Sequence, residues 1–207
     1  MKTRFIAAAT LAAGLGLSSA ASATVVLFDD FNSEAPDQLN WDGNAFFFSS
    51  SAPGSVDLIG AGGGWDLFAG QGSYVDLDGS TGSGNDPAGE LTSFQTFAAG
   101  SYSISFKLAG NQRGAPARVT RISLGDWSTD IELSSSDPLS TYTFDFTTSG
   151  GQLVFTQLGP SNQMGNILDD VSLTSLAVVP EPATWAMMIL GFGSAGAMLR
   201  RKALATA

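Results

Sequence analysis

Cysteine and histidine are both absent from the 207 residues. Without them the chain can build no disulfide framework, no thiol nucleophile, and no catalytic triad or zinc site that depends on imidazole. Cations are scarce as well: nine Lys and Arg stand against 19 Asp and Glu, a formal charge of −10. Recognition of phosphate needs clustered Lys and Arg, so neither nucleic acid nor an anionic membrane surface is an expected partner. Carboxylates, hydroxyls, amides and a few cations remain for chemistry. The length suits one domain with shorter segments at its ends, since a domain takes about 150 residues.

The two ends read as addresses. Residues 1–23 carry Lys2 and Arg4, an apolar run from Phe5 to Leu17, and small residues ending in Ala21-Ser22-Ala23, the pattern of a secretory signal peptide cleaved after Ala23. At the other end Pro180-Glu181-Pro182 and Trp185 precede an almost uncharged, Gly-containing run that closes on Arg200-Arg201-Lys202. Residues 183–199 would make about 25 Å of helix, the short end of what spans a hydrocarbon core, with Trp185 at the interface and the basic triplet on the cytoplasmic side. The expected organisation is a signal peptide (1–23), an exported ectodomain (24–178), and a tail (179–207) that contacts the membrane through one transmembrane helix. Pro180 and Pro182 hold the segment before that helix extended.

This tail resembles the PEP-CTERM sorting signal of exported proteins in Gram-negative bacteria, in the variant with tryptophan after the Pro-Glu-Pro core. The resemblance rests on Pro180, Glu181, Pro182, Trp185, Arg200 and Arg201. It implies processing by exosortase, a membrane cysteine protease, so that this chain is the substrate and exosortase the partner. It further implies an ectodomain held in the periplasm at the inner membrane, then delivered to the cell surface or extracellular matrix, in company with exopolysaccharide and biofilm.

Between the ends the charge is more extreme. Residues 24–179 hold 18 acidic groups and only Lys107, Arg113, Arg118 and Arg121 as cations, a balance of −14. Short segments of period-two alternation separated by Gly, Ser, Asp and Pro predict strands near 25–28, 45–50, 56–59, 73–77, 91–97, 102–108, 118–124, 129–133, 142–146, 153–157 and 166–174. No stretch has ten residues at helical spacing. The fold class expected is therefore all-β, a jelly-roll sandwich of roughly ten short strands whose core draws on fourteen phenylalanines. The segments Gly60–Gly64 and Gly79–Gly89 read as loops, and Asp76-Leu77-Asp78-Gly79 as a strand end entering a turn. From Tyr74 to Gly79, Phe97 to Phe106 and Gly165 to Leu173 the pattern of strand ends resembles galactose-binding-like jelly rolls of carbohydrate-binding and exported bacterial proteins.

Two constellations stand out. Strict alternation through Ile167, Asp169, Val171 and Leu173 would turn Asp169 toward the core, where a buried charge needs a partner. The galactose-binding-like resemblance implies that such an aspartate joins an acidic residue near the first strand on a structural Ca²⁺, which makes Asp29, Asp30, Glu34 and Asp169 the candidate ligands. An ion pair to Arg118 or Arg121 is the competing arrangement. Trp41, Trp65 and Trp127 each neighbour an aspartate in Gly-rich surroundings, the combination of aromatic face and carboxylate that holds sugars, so each is a candidate glycan platform. The expected function is an exported, noncatalytic component associated with extracellular polysaccharide. The alternative is a secreted carbohydrate-active enzyme using an Asp/Glu pair, although no spacing singles out a catalytic acid.

Overall fold

Eleven strands run through the residues that the computed structural model describes, which are 23–49, 54–82, 84–176, 189–194 and 196–197. They are β1 (Ala23–Asp29), β2 (Phe47–Ser49), β3 (Asp57–Gly60), β4 (Ser73–Asp76), β5 (Glu90–Phe97), β6 (Gly100–Ala109), β7 (Arg118–Leu124), β8 (Trp127–Leu133), β9 (Ser140–Thr148), β10 (Gly151–Leu158) and β11 (Ile167–Leu176). Each of the eleven alternating segments of the sequence yields one of them, because each has one apolar face to bury. β1 opens at Ala23, the residue expected to end the signal peptide, which pairs with Leu176.

The strands form two antiparallel sheets, the sandwich of a jelly roll. One has the order β3-β4-β11-β6-β9, with β1 also on β11; the other has the order β2-β5-β10-β7-β8. Their facing side chains make one core in which aromatic rings touch from sheet to sheet. Phe47 packs on Phe155, and Phe155 meets Phe106 edge to face with centroids 5.4 Å apart. In β6 the alternation Tyr102, Ile104, Phe106, Leu108 is buried throughout, as its pattern requires. A smaller cluster of Ile59, Tyr74, Ala109 and Ile167 lies on the opposite face of the first sheet, covered by Leu67, Phe68 and Leu139. The segment carrying Leu67 and Phe68 is tied down by the Tyr74 hydroxyl. That oxygen accepts the backbone N–H of Leu67 and of Phe68 (3.1 Å) and lies 3.3 Å from the Trp65 carbonyl, to which it donates.

β11 departs from strict alternation. Asp169 pairs with Lys107 but Ser172 pairs with Ser105, so one extra residue enters β11, and Asp170 takes a left-handed φ of 49°. This is a β-bulge. Leu168, Val171 and Leu173 consequently face the main core, whereas Ile167 belongs to the outer cluster with Asp169 beside it. The inward orientation expected for Asp169 from unbroken alternation is thus corrected.

Residues 22–177 form one compact unit. Residues 1–22 of the expected signal peptide and the sorting residues Pro180, Glu181, Pro182, Trp185, Arg200 and Arg201 lie outside the described residues. Within the expected transmembrane segment, 189–194 and 196–197 are helical, and no helix among the described residues is long and apolar enough to cross a membrane.

Candidate functional site

Two aspartates at the end of β4 organise one end of the sandwich. Leu77 enters the core, and the period of two sends Asp76 and Asp78 to the other side together. Asp76 accepts the backbone N–H of Asp78 (3.0 Å) and of Gly165 (2.8 Å) on one oxygen and pairs with Arg113 through the other. Asp78 accepts the backbone N–H of Asn162 (2.8 Å) and pairs with Arg118 at 3.2 Å. The guanidinium groups extend the bracket: Arg118 donates to the Pro160 carbonyl (2.7 Å), and Arg113 to the carbonyls of Asn111 (3.1 Å) and Gln163 (3.2 Å). The loops 110–117 and 159–166 are therefore both fixed to the Asp76-Leu77-Asp78 segment. Gly165 is required there, since a Cβ would come within 2.3 Å of the Asp78 nitrogen.

Asp57 faces Asp76 directly across the β3–β4 pair. Its carboxylate accepts the backbone N–H of Asn40 (2.7 Å) and of Ser80 (3.0 Å) and the Ser80 hydroxyl (2.6 Å), which spreads its charge over three donors. Burial pushes the Asp76 carboxyl up to about 7, against the opposing pull of Arg113 and of the two backbone amides. Beside these groups opens a cavity of about 280 Å³ bordered by Asp57, Trp65, Asp76, Arg113 and Gln163, among others. Trp65 is half exposed (50 %) at its rim, with the Arg113 guanidinium carbon 5.9 Å from its ring centroid. A second cleft of about 590 Å³, lined by Pro116, Arg118, Leu158 and Ser161 among others, adjoins it and shares Asn162.

The three candidate platforms separate. Trp41 is only 3 % exposed; its ring meets Phe31 edge to face and its Nε1–H donates to Glu34 at 2.9 Å, so it closes the core and offers no free face. Trp127 stacks flush on Phe146, centroids 3.9 Å apart, and packs against the main core. Trp65 alone of the three borders a polar cavity.

The candidate calcium ligands are divided among protein donors. Asp29 accepts the backbone N–H of Phe31 (2.9 Å) and the Asn44 amide (2.6 Å); Asp30 accepts the Asn32 N–H (3.1 Å); Glu34 takes the Trp41 indole and the Gln38 amide (3.3 Å). Asp169 is 1 % exposed and accepts the Asp170 N–H at 2.8 Å. Among the described residues no three acidic side chains converge in a group able to hold a metal ion. Burial, then the neighbouring Asp170, pushes the Asp169 carboxyl up to about 7, with Lys107 pulling the other way. Arg118 pairs with Asp78 and Arg121 with Asp130, so neither is the partner of Asp169; its cross-strand neighbour is Lys107, which binds Asp170 at 2.6 Å.

Asp57, Asp76, Arg113 and Gln163 were not singled out by the sequence. Asp76-Leu77-Asp78-Gly79 is a strand end, since β4 stops at Asp76, but its two carboxylates also hold two of the four cations of the domain. The available signal was that Arg113 and Arg118, two of the four cations, lie five residues apart, in a Gly/Pro-containing loop and at the first residue of the strand that follows it.

The PEP-CTERM protein-sorting motif matches residues 178–202, and the chain carries that motif. Comparison with curated proteins finds no match. Among solved structures, the K3 cleaved adhesin domain of Lys-gingipain from Porphyromonas gingivalis is similar with a TM-score of 0.51 at 16% identity, over 74% of this chain and 99% of that one. The CBM22-1 xylan-binding domain of Paenibacillus barcinonensis Xyn10C gives 0.46 at 11% identity, over 77% and 99%. A family 35 carbohydrate-binding module from Clostridium thermocellum gives 0.37 at 15% identity, over 74% and 98%. At such identities the likeness to the adhesin domain is one of fold.

Proposed function

We propose that this chain is an exported, noncatalytic glycan-associated protein of the cell envelope or surface, and that its sugar site is the cavity bordered by Trp65. The sorting motif implies export and sorting to the envelope or surface; exosortase is the processing partner that it suggests, and extracellular polysaccharide the setting. The observation that carries the glycan reading is the exposed Trp65 ring standing beside Asp57, Asp76, Arg113 and Gln163. An aromatic face takes the C–H side of a sugar ring, while carboxylate, guanidinium and amide groups take its hydroxyls. At about 280 Å³ the cavity lies just under the roughly 300–1,000 Å³ of small-molecule sites, a size for one or two sugar units.

A hydrolase needs one acid free to give its proton to the substrate. Asp76 has the raised affinity for a proton that such a role wants, but it is buried and both its oxygens are held, by two backbone amides and by Arg113. Binding is the reading that these contacts favour. The test is retention of the full chain, purified in a zwitterionic detergent, on a panel of immobilised polysaccharides. Trp65→Ala is expected to abolish retention while leaving the melting temperature unchanged, and Trp127→Phe to retain binding. Sugar release from any member of the panel would overturn the noncatalytic assignment; equal retention of Trp65→Ala would overturn the site.

A further inference from the structure

The cleft that adjoins the Trp65 cavity is about twice its volume, 590 against 280 Å³, and presents a different surface. Pro116, Ala117 and Pro160 are exposed along it and Val119 and Leu158 are half-buried. The lining residues with a charge or a hydroxyl, Arg118 and Ser161, are buried instead, and the Arg118 guanidinium is taken up by Asp78 and the Pro160 carbonyl. What the walls leave to a ligand is therefore apolar and without accessible charge, in a domain whose balance is −14. Asn162 lines both openings and is half-buried. Its backbone N–H is fixed on Asp78 (2.8 Å) and its side-chain oxygen accepts the Met164 N–H (3.1 Å), which sets the amide in place; among the described residues its Nδ2 has no protein partner.

A glycan chain that leaves the Trp65 cavity past Asn162 enters this cleft. An apolar wall accepts the face of a sugar ring only where that face carries C–H groups alone, because a hydroxyl pressed against it loses water and gains no partner. A pyranose whose hydroxyls and linkages are all equatorial has such faces, and its hydroxyls, lying near the ring plane, stay in solvent. An axial hydroxyl projects from the face instead. A uronate brings charge toward an acidic domain, and the lining cations are already spent, Arg113 on Asp76 and Arg118 on Asp78. We propose that cavity and cleft form one site for several consecutive units of an uncharged polysaccharide with equatorial hydroxyls and linkages. Trp65 takes one end of the run, the Asn162 amide donates to a hydroxyl or ring oxygen at the junction, and the apolar walls take the units beyond. This rests on the assignment of the Trp65 cavity as the sugar site.

The experiment titrates the full chain in zwitterionic detergent with four probes: cellobiose, cellotetraose, β-1,4-mannotetraose, which differs in an axial O2, and β-1,4-tetraglucuronate, which differs in its charge. Cellotetraose is expected to bind about tenfold or more tightly than cellobiose, through the apolar surface that its further units bury, and by a similar factor more tightly than mannotetraose. The uronate is expected not to bind. Ala117→Glu places a charge and extra bulk on the exposed cleft wall without entering the core; it should leave the melting temperature and the cellobiose affinity unchanged and bring cellotetraose down to the cellobiose level. Equal affinities for cellobiose and cellotetraose that are lost together in Trp65→Ala overturn this inference and leave the sugar site standing. A length dependence that Ala117→Glu abolishes and Trp65→Ala ignores overturns the Trp65 site and keeps the cleft. Binding of mannotetraose or of the uronate as tight as that of cellotetraose, or no binding of any probe, overturns the assignment of an uncharged equatorial glycan.

Discussion

Buried carboxylates occur in two neighbourhoods of this sandwich, and they are handled in opposite ways. At the β4 end, Asp76 and Asp78 each meet a guanidinium and together pin two loops. At the β1–β11 side, Asp29 and Asp169 are held by neutral donors, and burial pushes the pKa of both upward, with nearby Asp30 adding a smaller push. Pairing with cations makes the first neighbourhood a rigid platform on which a cavity can stand. The second lacks a full counter-charge, and burial raises the Asp169 carboxyl to about 7, as it raises that of Asp76 at the first. The difference comes from where four cations fall in a domain with 18 acidic groups, two of them, Arg113 and Arg118, being spent on Asp76 and Asp78.

The largest expected effect is at the paired end. Arg118→Ala leaves Asp78, which is 0 % exposed, as an uncompensated buried charge and frees the Pro160 carbonyl. It should cost about 3–5 kcal/mol, read as a fall in melting temperature. The same operation on the other side, Lys107→Ala, removes a partner of Asp170 where both side chains are about one-third exposed, and it should cost no more than about 1 kcal/mol. Equal costs would break the distinction.

Asp169 gives a second contrast. Its folded pKa of about 7 lies above its ordinary value of 3.8, so the folded state binds more protons than the unfolded state between those limits. Stability on its behalf is full below about pH 4 and is lost as pH rises through about 7. Asp169→Asn should be the more stable protein at pH 8, by up to a few kcal/mol, and should flatten the decline measured by denaturant melts across pH 4–8. Asp76 titrates in the same window, so some slope remains. An unchanged slope in Asp169→Asn would mean that this carboxylate does not titrate there.

The strands were legible in the sequence because each announces one buried face by alternation, as in Tyr102/Ile104/Phe106/Leu108. What alternation could not convey is the point at which it stops. In Ile167-Leu168-Asp169-Asp170-Val171 the extra residue of the bulge turns Asp169 away from the main core, still buried beside the outer cluster, and Asp170 at φ 49° leaves no mark on the pattern except the adjacent buried Ile167 and Leu168. The tryptophans were ambiguous for a related reason. Each sits beside an aspartate, but Phe31 over Trp41 and Phe146 over Trp127 are long-range contacts that no local spacing encodes. Arg118 and Asp78 are 40 residues apart, so their pairing belongs to topology rather than to motif.

The smallest expected effect concerns a divalent cation at the unpaired side. Ca²⁺ takes six to eight oxygens, and a site there would have to draw Asp29 from Asn44 and Glu34 from the Trp41 indole before offering them to metal. It would also have to strip the proton that Asp169 retains near neutral pH, which sets any affinity lower at pH 6 than at pH 8. Addition of a few millimolar Ca²⁺ should therefore shift the melting temperature by less than about 1 °C at either pH. Occupancy at 100 times Kd would add about 2.7 kcal/mol, several degrees for a domain of this size, so the two outcomes are well separated. A rise of several degrees at pH 8, weaker at pH 6 and absent in Asp169→Asn, would mean that a metal ion does at the β1–β11 side what Arg113 and Arg118 do at the other, and the contrast between the two neighbourhoods would then be one of cation identity.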